Sequence, residues 1–177
     1  MKAFHSAMIF SLPAVIFLSS CTKESNTGKD SLPYFFGFND NSDTSFYGWA
    51  GIHGFSDDIP EKGESWSLQL APGWIPDEGL AEKYFSLSNG SYILKLSADT
   101  KTDGYAHGFI RLVLQHNGGS KEVIAQAQFS NTNWQRKILE APAEITNGDK
   151  IIIQLSAGSS EIAGWYAWFD NIQLENE

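Results

Sequence analysis

The chain has 177 residues, with 12 Lys plus Arg against 21 Asp plus Glu and a formal net charge of −9. So acidic a chain argues against nucleic-acid binding, which needs clustered cations to displace counterions from phosphates. Neutral polymers such as polysaccharides meet no such penalty, and a 14% aromatic content with six tryptophans supplies more rings than packing alone demands.

The chain opens on Lys2 and then an apolar run from Ala7 to Leu18, broken only by Ser11 and Pro13. A membrane-spanning helix needs about 20 apolar residues, so this shorter run is expected to be the core of a signal peptide. The adjoining Leu18-Ser19-Ser20-Cys21 resembles the bacterial lipobox. The resemblance implies that residues 1–21 are a lipoprotein signal peptide, that Cys21 is lipidated, and that the lipid is the sole membrane attachment. Cys21 is also the only cysteine, so no disulfide is available to the fold. Residues 22–31, TKESNTGKDS, are polar and free of aromatics, as expected of a flexible tether. Their Lys23-Glu24 pair resembles the export signal of some lipoproteins of the Bacteroidetes. That implies an outer-membrane protein exposed at the cell surface.

Residues 32–177 have the size of one domain. From Tyr34 to Pro76 the chain is irregular, dense in Gly, Asp, Ser and aromatics, apart from SWSLQL at 65–70. Long connections of this kind are either functional or an arm wrapped round the domain. Beyond it, strand follows strand. Alternation places Trp66, Leu68 and Leu70 on one face, then Tyr92, Leu94, Leu96 and Ala98, then Ile110, Leu112 and Leu114 opposite Arg111 and Gln115. Ile151 to Ile153 are apolar on both faces, as in a central strand. Glu122–Phe129, Trp134–Ala141 and Ala167–Leu174 complete the set. In the last of these, period two puts Trp168, Asp170, Ile172 and Leu174 on one face, a carboxylate among apolar side chains. The nearest approach to a helix is the stretch after Asp77-Glu78, which runs into the strand-like Tyr84, Phe85 and Leu87. Asn89-Gly90 and Asn117-Gly118-Gly119 supply turns of the hairpin kind, and Asn147-Gly148-Asp149 precedes another strand. The expected class is all-β, an antiparallel β-sandwich.

The order of pieces is informative: GFND…FYGW from Gly37 to Trp49, SWSLQL, NGSYILKLSADTK, RLVLQHNGG, NWQRKILEAPAE, NGDKIIIQLSAG and the closing WFDNIQL. Together they resemble the galactose-binding-like jelly roll of many carbohydrate-binding modules, over most of residues 35–175. The resemblance implies a structural Ca2+ held in part by Asp170, with Asn39 and Asp40 of GFND standing where that family commonly places a Glu. A hydrogen-bonded anchor is the other role open to Asp170, since a buried carboxylate must be satisfied.

Local signatures of chemistry are missing. His53, His107 and His116 form no ligand pair, and no G-x-S-x-G or phosphate loop occurs. A glycoside hydrolase or lyase needs only two carboxylates across a cleft, for which Asp57, Asp58, Asp77 and Glu78 are candidates, yet nothing distinguishes them from solvated loop acids. Sugar binding needs rings to stack on pyranose C–H faces and polar groups for the hydroxyls. The loop residues Tyr47, Trp74, Tyr105 and Trp165 supply rings, and His107 and Asp57 supply polar partners. Trp49, by contrast, is expected to be packed. The sequence thus points to a lipid-anchored, non-catalytic module at the cell envelope whose ligand is a polysaccharide or other glycan. The alternative is a structural subunit that contacts another surface protein.

Overall fold

In the computed structural model, residues 32–38, 48–51, 54–63, 65–71, 79–158 and 166–177 are described. They contain eleven strands and no α-helix. The first four are short: β1 (Tyr34–Phe36), β2 (Trp49–Gly51), β3 (Gly54–Ser56) and β4 (Ser67–Leu70). The remainder are β5 (Gly79–Phe85), β6 (Gly90–Thr102), β7 (His107–Gln115), β8 (Lys121–Phe129), β9 (Gln135–Ile145), β10 (Lys150–Gly158) and β11 (Ala167–Asn176). The acids Asp77 and Glu78 lie outside the described residues, and the chain from Gly79 onward is strand, not helix.

Two antiparallel sheets face each other. One runs β3-β4-β11-β6-β9 with β1 also paired to β11, and the other runs β2-β5-β10-β7-β8. Their inner faces share one core, in which Leu94, Leu96, Leu112, Ile151, Ile153, Phe169 and Leu174 are wholly buried. Alternation dictates this: on each strand the apolar set faces the opposing sheet, where removal from water stabilises each large side chain by about 1.5–3 kcal/mol. The expected all-β sandwich is what forms.

Three local expectations are corrected. The stretch read as irregular contains β1, β2 and β3, each of three residues, too short for alternation to register. It does behave as a wrapping arm, adding β1 to one sheet, β2 to the other and β3 to the first again. Asn89-Gly90 is not a hairpin turn, because β5 and β6 lie in different sheets and Gly90 opens β6. Asn117-Gly118-Gly119 is one: Gly119 takes φ +85° between the paired β7 and β8.

The third correction concerns β11. Its pairing with β6 shifts register between Asp170 and Gln173, and Asn171 takes φ +47°. A bulge inserts one residue and reverses which side chains face inward. Ala167 and Phe169 enter the core before it, and Ile172 and Leu174 after it. Trp168 and Asp170 therefore lie on the outer side, not with Ile172 and Leu174.

Candidate functional site

The central strands of the five-stranded sheet carry an unusual outer face. Cross-strand pairing aligns Glu82 of β5, Gln154 of β10, Arg111 of β7 and Gln126 of β8 in one row. Core residues alternate with these, so the row points away from the opposing sheet. The row is hydrogen-bonded along its length. Gln154 Nε2 donates to Glu82 Oε1 at 2.9 Å, and Arg111 donates to Gln154 Oε1 at 3.1 Å, Ser156 Oγ at 2.9 Å and Gln126 Oε1 at 3.4 Å. Arg111 also lies over the Phe109 ring, 4.4 Å from its centroid.

The row on one side is aromatic and aliphatic, and the row on the other is mixed. Tyr84, Ile152, Val113 and Val123 form one, and Leu80, Ser156, Phe109 and Gln128 the other. Ile152 is 0% and Val113 2% exposed, although neither belongs to the inter-sheet core. A bridge spans the same face. Lys121 Nζ of β8 donates to Glu82 Oε1 of β5 at 3.0 Å and lies 5.7 Å from the Tyr84 ring centroid. At about 4.8 Å per strand, β8 and β5 are about 14 Å apart across β7 and β10. The two side chains thus reach toward each other across the central strands.

Glu82 is the electrostatic centre of this arrangement. Burial works against its charge, but hydrogen bonds from Tyr84, Gln154 and Lys121 outweigh that and hold its carboxyl below the ordinary range. The same bond to Glu82 holds the Lys121 ammonium and the Tyr84 hydroxyl above their ordinary values. At neutral pH the row is a set of planar, hydrogen-bonded polar groups beside the rings of Tyr84 and Phe109. Sugar rings are bound by this combination of groups.

Several sequence-derived candidates lie elsewhere. Tyr105 is 67% exposed at one end of the sandwich, and His107 is exposed as the first residue of β7. Asp103 organises this end: Oδ1 accepts from the Tyr105 and Ala106 N–H groups, at 2.9 and 3.0 Å, and Oδ2 accepts from Tyr166 N–H at 2.7 Å. Asp57 is exposed in the loop after β3. Its neighbour Asp58 is paired with Lys101 and accepts from Trp134 Nε1 at 3.0 Å, on the outer side of the six-stranded sheet. There Lys101 lies 5.5 Å from the Trp168 ring centroid. Trp49 is buried, as expected. Tyr47, Trp74, Trp165, Asn39, Asp40 and Cys21 lie outside the described residues.

Asp170 is wholly buried and accepts from the Asn171 N–H at 2.7 Å. A Cβ on Gly63 would lie 2.6 Å from Asp170 Oδ2, so the 60–63 turn closes directly on the carboxylate. The pairing of β1 with β11 and the Phe38–Trp66 bridge bring the opening arm to the same junction. Among the described residues no group of three His, Cys, Asp or Glu side chains is placed to hold a metal. Asp170 is the one described member of the candidate calcium set.

The polar row was missed in the sequence because its members come from four strands and meet only through register. The available signal was a charged or amide residue in the middle of otherwise apolar central strands, Arg111 and Gln154 above all.

Comparison with known proteins bears on the fold. No family model matches the chain, and no curated protein does. Among solved structures it is similar to the CBM22-1 xylan-binding domain from Paenibacillus barcinonensis Xyn10C, at 14% identity and TM-score 0.56, covering 84% of this chain and 97% of that one. It is also similar to the CBM22-1-GH10 modules of Clostridium thermocellum endo-1,4-beta-D-xylanase 10B, complexed with xylohexaose, at 15% identity and TM-score 0.56. That match covers 81% of this chain and 28% of the other. A third similarity is to the arabinose-bound MgGH51 α-L-arabinofuranosidase, at 17% identity and TM-score 0.51, covering 84% of this chain and 25% of that one. The chain has the jelly-roll fold of carbohydrate-binding modules.

Proposed function

We propose that this domain binds a polysaccharide chain on the outer face of its five-stranded sheet and performs no chemistry on it. The observation that carries the reading is the hydrogen-bonded row Glu82–Gln154–Arg111–Gln126 on a sheet face that also presents the rings of Tyr84 and Phe109. The fold fits this reading without deciding it, since one fold serves many functions. The xylan-binding domain with the same fold makes xylan a first probe. The test is calorimetry of the full-chain protein against xylan, galactan, mannan and glucan oligosaccharides. Binding is expected, with loss of at least about tenfold in affinity for Arg111→Ala or Gln154→Ala, the effect of about 1.4 kcal/mol. Binding unaffected by these substitutions but lost in Trp74→Ala or Tyr105→Ala would move the site to the loops.

The reading extends to location and to Asp170. Lipidation of Cys21 would tether the domain to the outer membrane at the cell surface, and Cys21→Ala is expected to release it from the membrane fraction. Asp170, with Asn39 and Asp40 beside it in the sequence resemblance, would hold a structural calcium ion. An oxygen-only donor set of this kind suits that cation.

One observation favours a protein partner as a second reading. On the outer face of the six-stranded sheet, Phe35, Gln173, Ser97 and Ile138 stand in one row, with Phe35 63% and Ile138 56% exposed. Crosslinking on cells, with and without Phe35→Ser, tests whether a surface protein covers it.

A further inference from the structure

We propose that the outer face of the six-stranded sheet docks a partner polypeptide whose contacting segment sets Lys or Arg beside apolar residues. The proposal rests on the protein-partner reading above and names the chemistry of that partner. It is independent of the glycan reading, which concerns the other sheet.

Register builds the surface. Beside the row Phe35–Gln173–Ser97–Ile138 stands the row Glu175–Lys95–Glu140, followed by Ile93–Pro142 and Ser91–Glu144. The residues that alternate with these, Leu94, Leu96, Leu139, Ala141, Ala143 and Leu174, lie in the core, so the rows face away from it. Ile93 is 52% exposed, and with Phe35 and Ile138 it makes three of the six exposed large hydrophobics among the described residues. Apolar side chains gathered on one face and rimmed by charge are the mark of an interaction site, whereas scattered ones are not. A surface cavity of about 530 Å³ opens beside Ile93, lined also by Pro142, Glu144, Asn176 and Glu177.

The charge around these apolar groups sets the chemistry of the occupant. Glu140, Glu144, Glu175 and Glu177 border them, and Lys95 is the one cation in the same rows. Lys95 is shared, with Nζ 2.7 Å from Glu177 Oε1 and 3.7 Å from Glu140 Oε1. Glu144 and Glu175 accept from neutral donors, the Ser91 hydroxyl and the Gln173 amide. Arg136, in the adjoining row, is paired with Asp99 and adds no surplus of positive charge. The surface is therefore apolar in its middle and acidic around it. A Lys or Arg side chain entering the cavity lays its methylenes along Ile93 and Pro142 and brings its charge to Glu144 and Glu177.

Other occupants fit less well. A second copy of this chain brings the same acidic surface and a charge of −9, so self-association is opposed. A glycan stacks on flat rings, and Phe35 is the one aromatic side chain in these outward rows. A basic partner gains both contacts at once, and the acidic rim speeds its approach.

The probe is a display library of random linear peptides, selected on the full-chain protein. Enriched peptides are expected to carry Lys or Arg next to apolar residues. Their affinity, read by calorimetry, is expected to fall about tenfold in Ile93→Ser and about tenfold in the double substitution of Glu144→Gln with Glu177→Gln, and to weaken as salt rises. Glu61→Gln with Glu122→Gln removes the same charge from exposed positions elsewhere and is expected to leave binding unchanged. Peptides that need Phe35 and Ile93 yet lack basic residues overturn this inference and leave the protein-partner reading standing. Basic peptides that respond equally to both charge removals also overturn it, because the charge of the whole molecule then accounts for them. If no peptide depends on Phe35, Ile93 or Ile138, this inference and the protein-partner reading both fail.

Discussion

Replacing Glu82 by Gln keeps the shape of the side chain but removes its charge and one of the two oxygens that accept from Lys121, Gln154 and Tyr84. Its folded pKa lies below the ordinary value of 4.5, after bonds from Tyr84, Gln154 and Lys121 have overcome the opposing effect of burial. A depressed carboxylate contributes stability above its unfolded pKa and loses it as pH falls through the folded one. The stability difference between wild type and Glu82→Gln is therefore expected to be constant near neutral pH and to shrink once pH drops below 4.5. Melting curves over that range check it, and a difference independent of pH would contradict it. Gly63 offers a second residue-scale test. An added Cβ would lie 2.6 Å from Asp170 Oδ2 and 2.7 Å from Pro60 Cδ, in a turn closed by the Gly63 N–H donating to the Pro60 carbonyl at 2.8 Å. Gly63→Ala is expected to destabilise the domain by about 1–3 kcal/mol, the usual cost of overpacking, as measured by urea denaturation.

Among the elements, β11 carries the most information that its sequence conceals. Period two assigns Trp168 to the face of Ile172 and Leu174, whereas the bulge at Asp170–Gln173 gives that face to Phe169 instead. Phe169 is wholly buried, with its ring 5.5 Å from Phe129 in an edge arrangement, so Phe169→Ala is expected to cost about 3–5 kcal/mol. Trp168→Ala is expected to cost less, since its ring lies outside the core beside Lys101 and Tyr166. Denaturant titrations of the two variants decide between straight and bulged strands. The long strands β6, β7 and β10 were legible because their apolar residues recur in step with the pleat. A bulge leaves no mark in composition beyond a residue that tolerates positive φ, here Asn171. The row on the other sheet was hidden for another reason: Glu82, Arg111, Gln126 and Gln154 are distant in sequence, and cross-strand register alone unites them. Alternation sets Arg111 opposite the core face of its strand, yet no local pattern could reveal that it meets Glu82, Gln154 and Gln126 in one row.

At the scale of the whole molecule, two sheets and one core account for a fold that stands without a disulfide, and the wrapping arm ties both sheets together before the long strands begin. Where that arm meets β11, the buried Asp170 gives the calcium proposal its own test. A ligand bound by the native state alone must stabilise it, so chelator is expected to lower the melting temperature and added Ca2+ to restore it; an unchanged temperature contradicts the ion and leaves a hydrogen-bonded anchor. The central claim, however, is that the outer face of the five-stranded sheet is the glycan site. Its most direct measurement is oligosaccharide affinity by calorimetry for wild type, Arg111→Ala on that face and Ile138→Ser on the opposite one. The account predicts binding by wild type and Ile138→Ser, with at least about tenfold loss in Arg111→Ala. Equal affinity in all three, or loss in Ile138→Ser alone, would contradict it.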